Sequence, residues 1–150
     1  MPNEGFYEET LDGRMMPERI MYMNVRPSSE DSVNGVLYLV SGKEIQIFDR
    51  REWTYDRIAV DWIASDLEPQ CGKAFMYVAK PEWRLVPGRP KAWAAVRKTY
   101  LDIISEGVAS LEDSFRQKYE ESTDSLSPDL ILIDKSPDVL DPAWTDLSGT

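Results

Sequence analysis

Apolar residues in this chain come in short runs whose period changes, and those changes mark out the expected elements. The strongest run is Val33-Asn34-Gly35-Val36-Leu37-Tyr38-Leu39-Val40. Over residues 36–40 both alternating faces are apolar, which predicts a strand in the middle of a sheet, covered on both sides. Gly35 within it reads as a bulge or a close backbone approach. A weaker alternation predicts a strand over residues 20–25, ended by Pro27-Ser28-Ser29. Residues 1–18 are polar and without period, and predict no element.

Ser41-Gly42-Lys43-Glu44 has the Ser-x-x-Glu form of a capping box, in which each side chain satisfies the other residue's free backbone N–H. A helix of about two turns should follow, with Ile45 and Phe48 turned inward. Trp53-Thr54-Tyr55 favours extended structure and ends it. Residues 57–63 alternate, placing Ile58, Val60 and Trp62 on one face and Arg57, Ala59 and Asp61 on the other. Cys71-Gly72 breaks the chain, and residues 73–78 predict another strand, stopped by Pro81. Pro87-Gly88-Arg89-Pro90 predicts a turn leading into a helix. Trp93, Val96, Tyr100, Ile103 and Ile104 follow the helical period, and Gly107 stands where a left-handed cap belongs. Ser110 is expected to cap a second helix, with Leu111, Phe115 and Tyr119 along one side. This order predicts an α+β domain, built as a small mixed β-barrel or strongly curved sheet with helices packed to one side.

A chain of 150 residues fits one domain. Its formal charge of -10 is uneven, since residues 124–150 hold six Asp against a single Lys. The expected boundary therefore falls between a folded domain at 1–123 and an acidic, proline-containing strap at 124–150, docked through residues 130–133. The acidic balance argues against a nucleic-acid partner, and no apolar run approaches the roughly 20 residues of a membrane span. One cysteine, Cys71, cannot form an internal disulfide, and residues 1–4 lack a signal-peptide layout. A cytoplasmic setting is expected.

There is no histidine, which excludes Ser-His-Asp and Cys-His arrangements and His-ligated metals. The residues imply no cofactor and no metal. Any chemistry then falls to a carboxylate or a lysine. Arg50-Arg51-Glu52-Trp53-Thr54-Tyr55 sets one carboxylate just past the short helix and just before a strand, among aromatics. Glu52 is the candidate.

Taken together, Val33-Asn34-Gly35-Val36-Leu37-Tyr38-Leu39-Val40, Phe48-Asp49-Arg50-Arg51-Glu52, Tyr55 and the alternating strand after it resemble the γ-glutamylcyclotransferase-like family. Ala74-Phe75-Met76-Tyr77-Val78 and Tyr100-Leu101 resemble later pieces of its pattern, so the likeness covers about residues 20–120. The resemblance implies that Glu52 is the general acid/base, with Tyr55, Tyr38 and Gly35 at the substrate. It implies a small γ-glutamyl-type substrate, whose α-amine attacks its own γ-carbonyl, closes 5-oxoproline and expels an amine. Nucleophile and electrophile share one molecule, so the enzyme need only fold the substrate and move protons.

The family opens with an apolar strand running into a Tyr-Gly-Ser loop that holds the substrate carboxylate. No such motif precedes Ile20, where Gly5-Phe6-Tyr7 and Asp12-Gly13-Arg14 are the only glycine loops. Three readings follow: a truncated reading frame, a loop supplied by another chain, or a scaffold that has lost catalysis and serves as a ligand-binding or interaction domain. A sheet lacking its first strand also has an open edge, for a second copy or a partner chain to cover.

Overall fold

The capping box forms as the sequence predicts, and it starts the first helix. In a computed structural model that describes residues 7–10, 17–60, 73–85 and 94–134, Ser41 N–H donates to Glu44 Oε2 at 2.7 Å and Glu44 N–H donates to Ser41 Oγ at 3.3 Å. The helix, α1, runs Gly42–Arg51, ten residues rather than two turns, with Glu44 in its first turn and Arg50 and Arg51 in its last. Those charges oppose the partial charges of the helix ends. Ile45 is half-buried, but Phe48, expected inward, is exposed.

The described residues form an α+β fold of three α-helices and two small sheets, neither closed into a barrel. They divide into two units, described in turn. The first holds strands β1 (Tyr7–Thr10), β2 (Arg19–Met21), β5 (Ala94–Arg97) and β6 (Ile131–Asp134), with helices α2 (Lys98–Ala109) and α3 (Asp113–Ser122). The second holds α1 and the strands β3 (Tyr55–Val60) and β4 (Ala74–Ala79).

In the first unit the strand order is β1-β6-β5-β2. β1 is antiparallel to β6, whereas β6 and β5, and β5 and β2, are parallel. Parallel neighbours need a long crossover, and the chain between β5 and β6 supplies one through α2 and α3. α2 packs on both of those strands and on α3. Ala95 and Leu132, on the two inner strands, are both 0% exposed and form the core with Ile20. Tyr22 and Leu130 pack against it. Residues 131–134 are therefore a central strand of this sheet.

Four expectations are corrected here. β1 is a strand although Tyr-Glu-Glu-Thr carries no apolar period; β6 provides its partner. Residues 94–97, expected in the first turns of a helix, are a strand, because a slot between two strands takes small and β-branched side chains whatever their helix propensity. Gly107 lies inside α2 without a left-handed backbone, and the helix turns Tyr100, Leu101, Ile104 and Val108 inward while Ile103 faces out. Ser110 closes α2, with its hydroxyl donating to Gly107 O at 2.7 Å, and Glu112 occupies the cap position of α3.

In the second unit β3 and β4 pair antiparallel in unbroken register, Tyr55 opposite Ala79 through Val60 opposite Ala74. Among its described residues, Val78 and Ala79 are the buried apolar ones. Pro81 ends β4 in a single 3₁₀ turn, Pro81–Trp83. The strand expected over residues 33–40 is absent: the segment has no regular structure, and Tyr38 and Leu39 are 79% and 96% exposed. Apolar alternation supplies a wish for cover, but a strand also needs a neighbour to exchange hydrogen bonds with, and β3 and β4 pair with each other. Trp62, Cys71, Trp93 and the turn at 87–90 lie outside the described residues, as do residues 1–6, 11–16 and 135–150. Among the described residues no helix is long and apolar enough to cross a membrane.

Candidate active site

Glu52 stands at the C-cap of α1, where the chain leaves the helix for β3. Its backbone is held on both sides. Glu52 N–H donates to Phe48 O at 2.8 Å, and Glu52 O accepts from Tyr55 N–H at 2.8 Å. A backbone pinned in both directions gives the side chain a fixed root. The carboxylate is 31% exposed, with Arg51 Nε 3.7 Å from Oε1. That separation exceeds a hydrogen bond, so the pair attracts without gripping.

The turn after Glu52 is fastened to the far end of the hairpin. Lys80 Nζ donates to Trp53 O at 2.6 Å, and Lys80 N–H donates to Thr54 O at 3.0 Å. The Trp53 and Trp83 rings meet edge to face, 4.9 Å between centroids at 83°, the arrangement that brings a ring's positive edge to its neighbour's negative face. Arg84 Nε donates to Ala79 O at 2.8 Å and Ala79 N–H donates to Asn24 Oδ1 at 2.9 Å.

Asp49, one turn before Glu52, is occupied differently. The Tyr77 hydroxyl donates to its Oδ1 at 2.8 Å, and Arg57 Nε reaches the same oxygen at 3.0 Å. Arg57 and Tyr77 are direct cross-strand partners, so one helix carboxylate binds both strands of the hairpin. The Arg57 guanidinium also lies 4.9 Å from the centroid of the Phe75 ring, a cation–π contact on the neighbouring strand. Burial, the Asp49 hydrogen bond and the Asp49 charge together push the Tyr77 hydroxyl up to about 12, while Arg57 opposes and Glu52 adds to the rise. The Glu52 charge is thus within electrostatic reach of that hydroxyl.

The two carboxylates at this helix end therefore differ in what they can do. Asp49, 39% exposed, is engaged by two donors on one oxygen; Glu52, 31% exposed, carries one loose ionic neighbour. Of the residues expected at the substrate, Tyr55 is half-buried at the start of β3 and joined to Glu52 through the backbone. Tyr38 and Gly35 lie in the irregular segment, where nothing comes within 4 Å of a Cβ built on Gly35. No hydrogen bond, ion pair or ring contact links Tyr38 or Gly35 to Glu52 among the described residues. Sequence reasoning does not single out Asp49, Arg57 or Tyr77 for the site. The spacing of Asp49 and Glu52, three apart on one helix, was the available signal. Among the described residues no group of three or more Cys, Asp or Glu is placed to hold a metal ion. Compared with protein-family models, with curated proteins and with solved structures, the chain finds no match.

Proposed function

We propose that this chain is a γ-glutamylcyclotransferase-like enzyme that converts a γ-glutamyl amine or peptide to 5-oxoproline with release of the amine. Glu52 is its general acid/base. The observation that supports the reading is the contrast between Asp49, whose Oδ1 receives two donors, and Glu52, rooted at both sides with one loose ionic neighbour. In the reaction the substrate's α-ammonium passes a proton to Glu52, and the freed amine attacks the γ-carbonyl carbon. The bond from that carbon to the leaving nitrogen breaks as Glu52 returns the proton, and the second proton, shed by the attacking nitrogen as the ring closes, follows through Glu52, so the amine departs as an ammonium. No water, oxidant or cofactor enters the balance. Tyr55, Tyr38 and Gly35 are the proposed substrate contacts. A reducing, cytoplasmic setting belongs to the same reading, supported by the lone Cys71.

The strongly curved sheet of that family also belongs to the proposal. It requires residues 36–40 to gain hydrogen-exchange protection when substrate is bound. Incubation with γ-glutamyl amino acids is expected to release 5-oxoproline, and Glu52→Gln to abolish release while leaving the far-UV circular dichroism unchanged. A second reading, a non-catalytic member binding a small ligand or a partner chain at an exposed edge, draws on the exposure of Val36, Leu37, Tyr38 and Leu39. Thermal stabilisation by γ-glutamyl ligands without turnover would select it.

A further inference from the structure

No residue of α1 is buried, so apolar packing does little to fix where this helix lies. Its last turn is held by polar contacts instead. One oxygen of Asp49 receives the Tyr77 hydroxyl and Arg57 Nε, which face each other across the hairpin. Arg57 is oriented in turn by the Phe75 ring. Tyr77 keeps its proton throughout the neutral range, so the bond to Asp49 is always available. Three residues on, the backbone bonds from Glu52 N–H to Phe48 O and from Tyr55 N–H to Glu52 O carry that fixed position to Glu52.

We propose that Asp49 is a positioning residue for Glu52, stapling the last turn of α1 to both strands of the β3–β4 hairpin so that the Glu52 carboxylate projects from a fixed point. The inference rests on the catalytic reading of Glu52. The role of Asp49 is to hold, since its Oδ1 receives donors from both strands. Proton transfer inside a folded substrate is sensitive to placement, and a shift of about 1 Å costs about 100-fold in rate.

The test uses the full chain in two arms. Turnover of a γ-glutamyl amino acid is measured for the wild type, Asp49→Ala, Asp49→Asn and Tyr77→Phe. Asp49→Ala is expected to lower kcat by about 100-fold with KM nearly unchanged. Asp49→Asn, which keeps an acceptor oxygen in the same place, recovers much of the loss, and Tyr77→Phe falls between. In the second arm, amide hydrogen exchange is followed by NMR. Loss of a charge-assisted bond should speed exchange at Glu52 and Tyr55 by about tenfold in Asp49→Ala, leaving the Ile45 amide at the capped end, bonded to Ser41 O at 3.0 Å, unaffected. Unchanged exchange at Glu52 and Tyr55 overturns the proposal. So does faster exchange with unaltered kcat, which makes Asp49 a fastening and nothing more. If the wild type yields no 5-oxoproline, the catalytic reading falls on its own, and the exchange arm decides whether Asp49 sets the place of residue 52. Should Asp49→Ala not fold, the decision passes to Asp49→Asn and Tyr77→Phe.

Discussion

The hydroxyl of Tyr77 donates to Asp49 Oδ1 at 2.8 Å, joining a strand phenol to a helix carboxylate 28 residues away in sequence. Burial, then this bond and the Asp49 charge, raise the phenol from its ordinary 10.0 to about 12. A raised value means that the folded state holds the proton more tightly than the unfolded chain. The linked stability is therefore complete below pH 10.0 and is lost as pH climbs through about 12. Asp49→Asn removes the charge and should bring the phenol's ionisation down toward 10.0. Ultraviolet absorbance of phenolate, with Tyr77→Phe as the subtraction, measures it; an unmoved midpoint would show that Asp49 does not reach this hydroxyl.

Ser41 and Glu44 cap α1 reciprocally. Replacing Ser41 with Ala leaves a helix N–H without its partner and should cost about 1 kcal/mol in urea unfolding. The Glu44 carboxyl is held below the usual glutamate value by its bond to the Ser41 backbone and then by the Ser41 hydroxyl. Its contribution is present above the ordinary glutamate range and fades as pH falls through the lowered value. Ser41→Ala should accordingly shrink the acid-side loss of stability.

Gly107 offers a test of opposite sign. It sits inside α2 with nothing within 4 Å of a built Cβ and no left-handed backbone. Gly107→Ala should therefore stabilise the chain by about 0.5–1 kcal/mol, by lowering the entropy lost on forming the helix. A left-handed cap, the expectation from sequence, would make the same substitution costly. Chemical denaturation separates the two by sign alone.

Leu132 is fully buried against Ile20 and Ala95. Leu132→Ala should lose about 2–5 kcal/mol, the transfer term plus the cavity left behind. A loss below about 1 kcal/mol would mean that this site collapses without penalty or that the strand is peripheral.

Locally encoded features were legible in the sequence. The Ser41–Glu44 box started a helix where expected, and the two hairpin strands formed, although Ile58, on the apolar face of the alternation, is exposed. Glu52 at a helix end before a strand could be read from the cap and from Trp53-Thr54-Tyr55. Features needing a distant neighbour were not. Ala94-Ala95-Val96 reads as helical until β2 and β6 close on either side. Residues 36–40 read as a central strand because their pattern says nothing about whether a partner strand is free. The ties of Asp49 to Arg57 and Tyr77 depend on the cross-strand register, which no spacing along one segment discloses.

The place of β6 between β1 and β5 sets an order of events during synthesis. Residues 55–79 can close their hairpin as soon as they leave the ribosome, since their contacts are near neighbours along the polymer. β1 must wait with its hydrogen-bonding groups open until residue 131 emerges. Until then the first unit exposes unsatisfied strand edges, and that interval is when a nascent chain of this design most needs shielding by a chaperone.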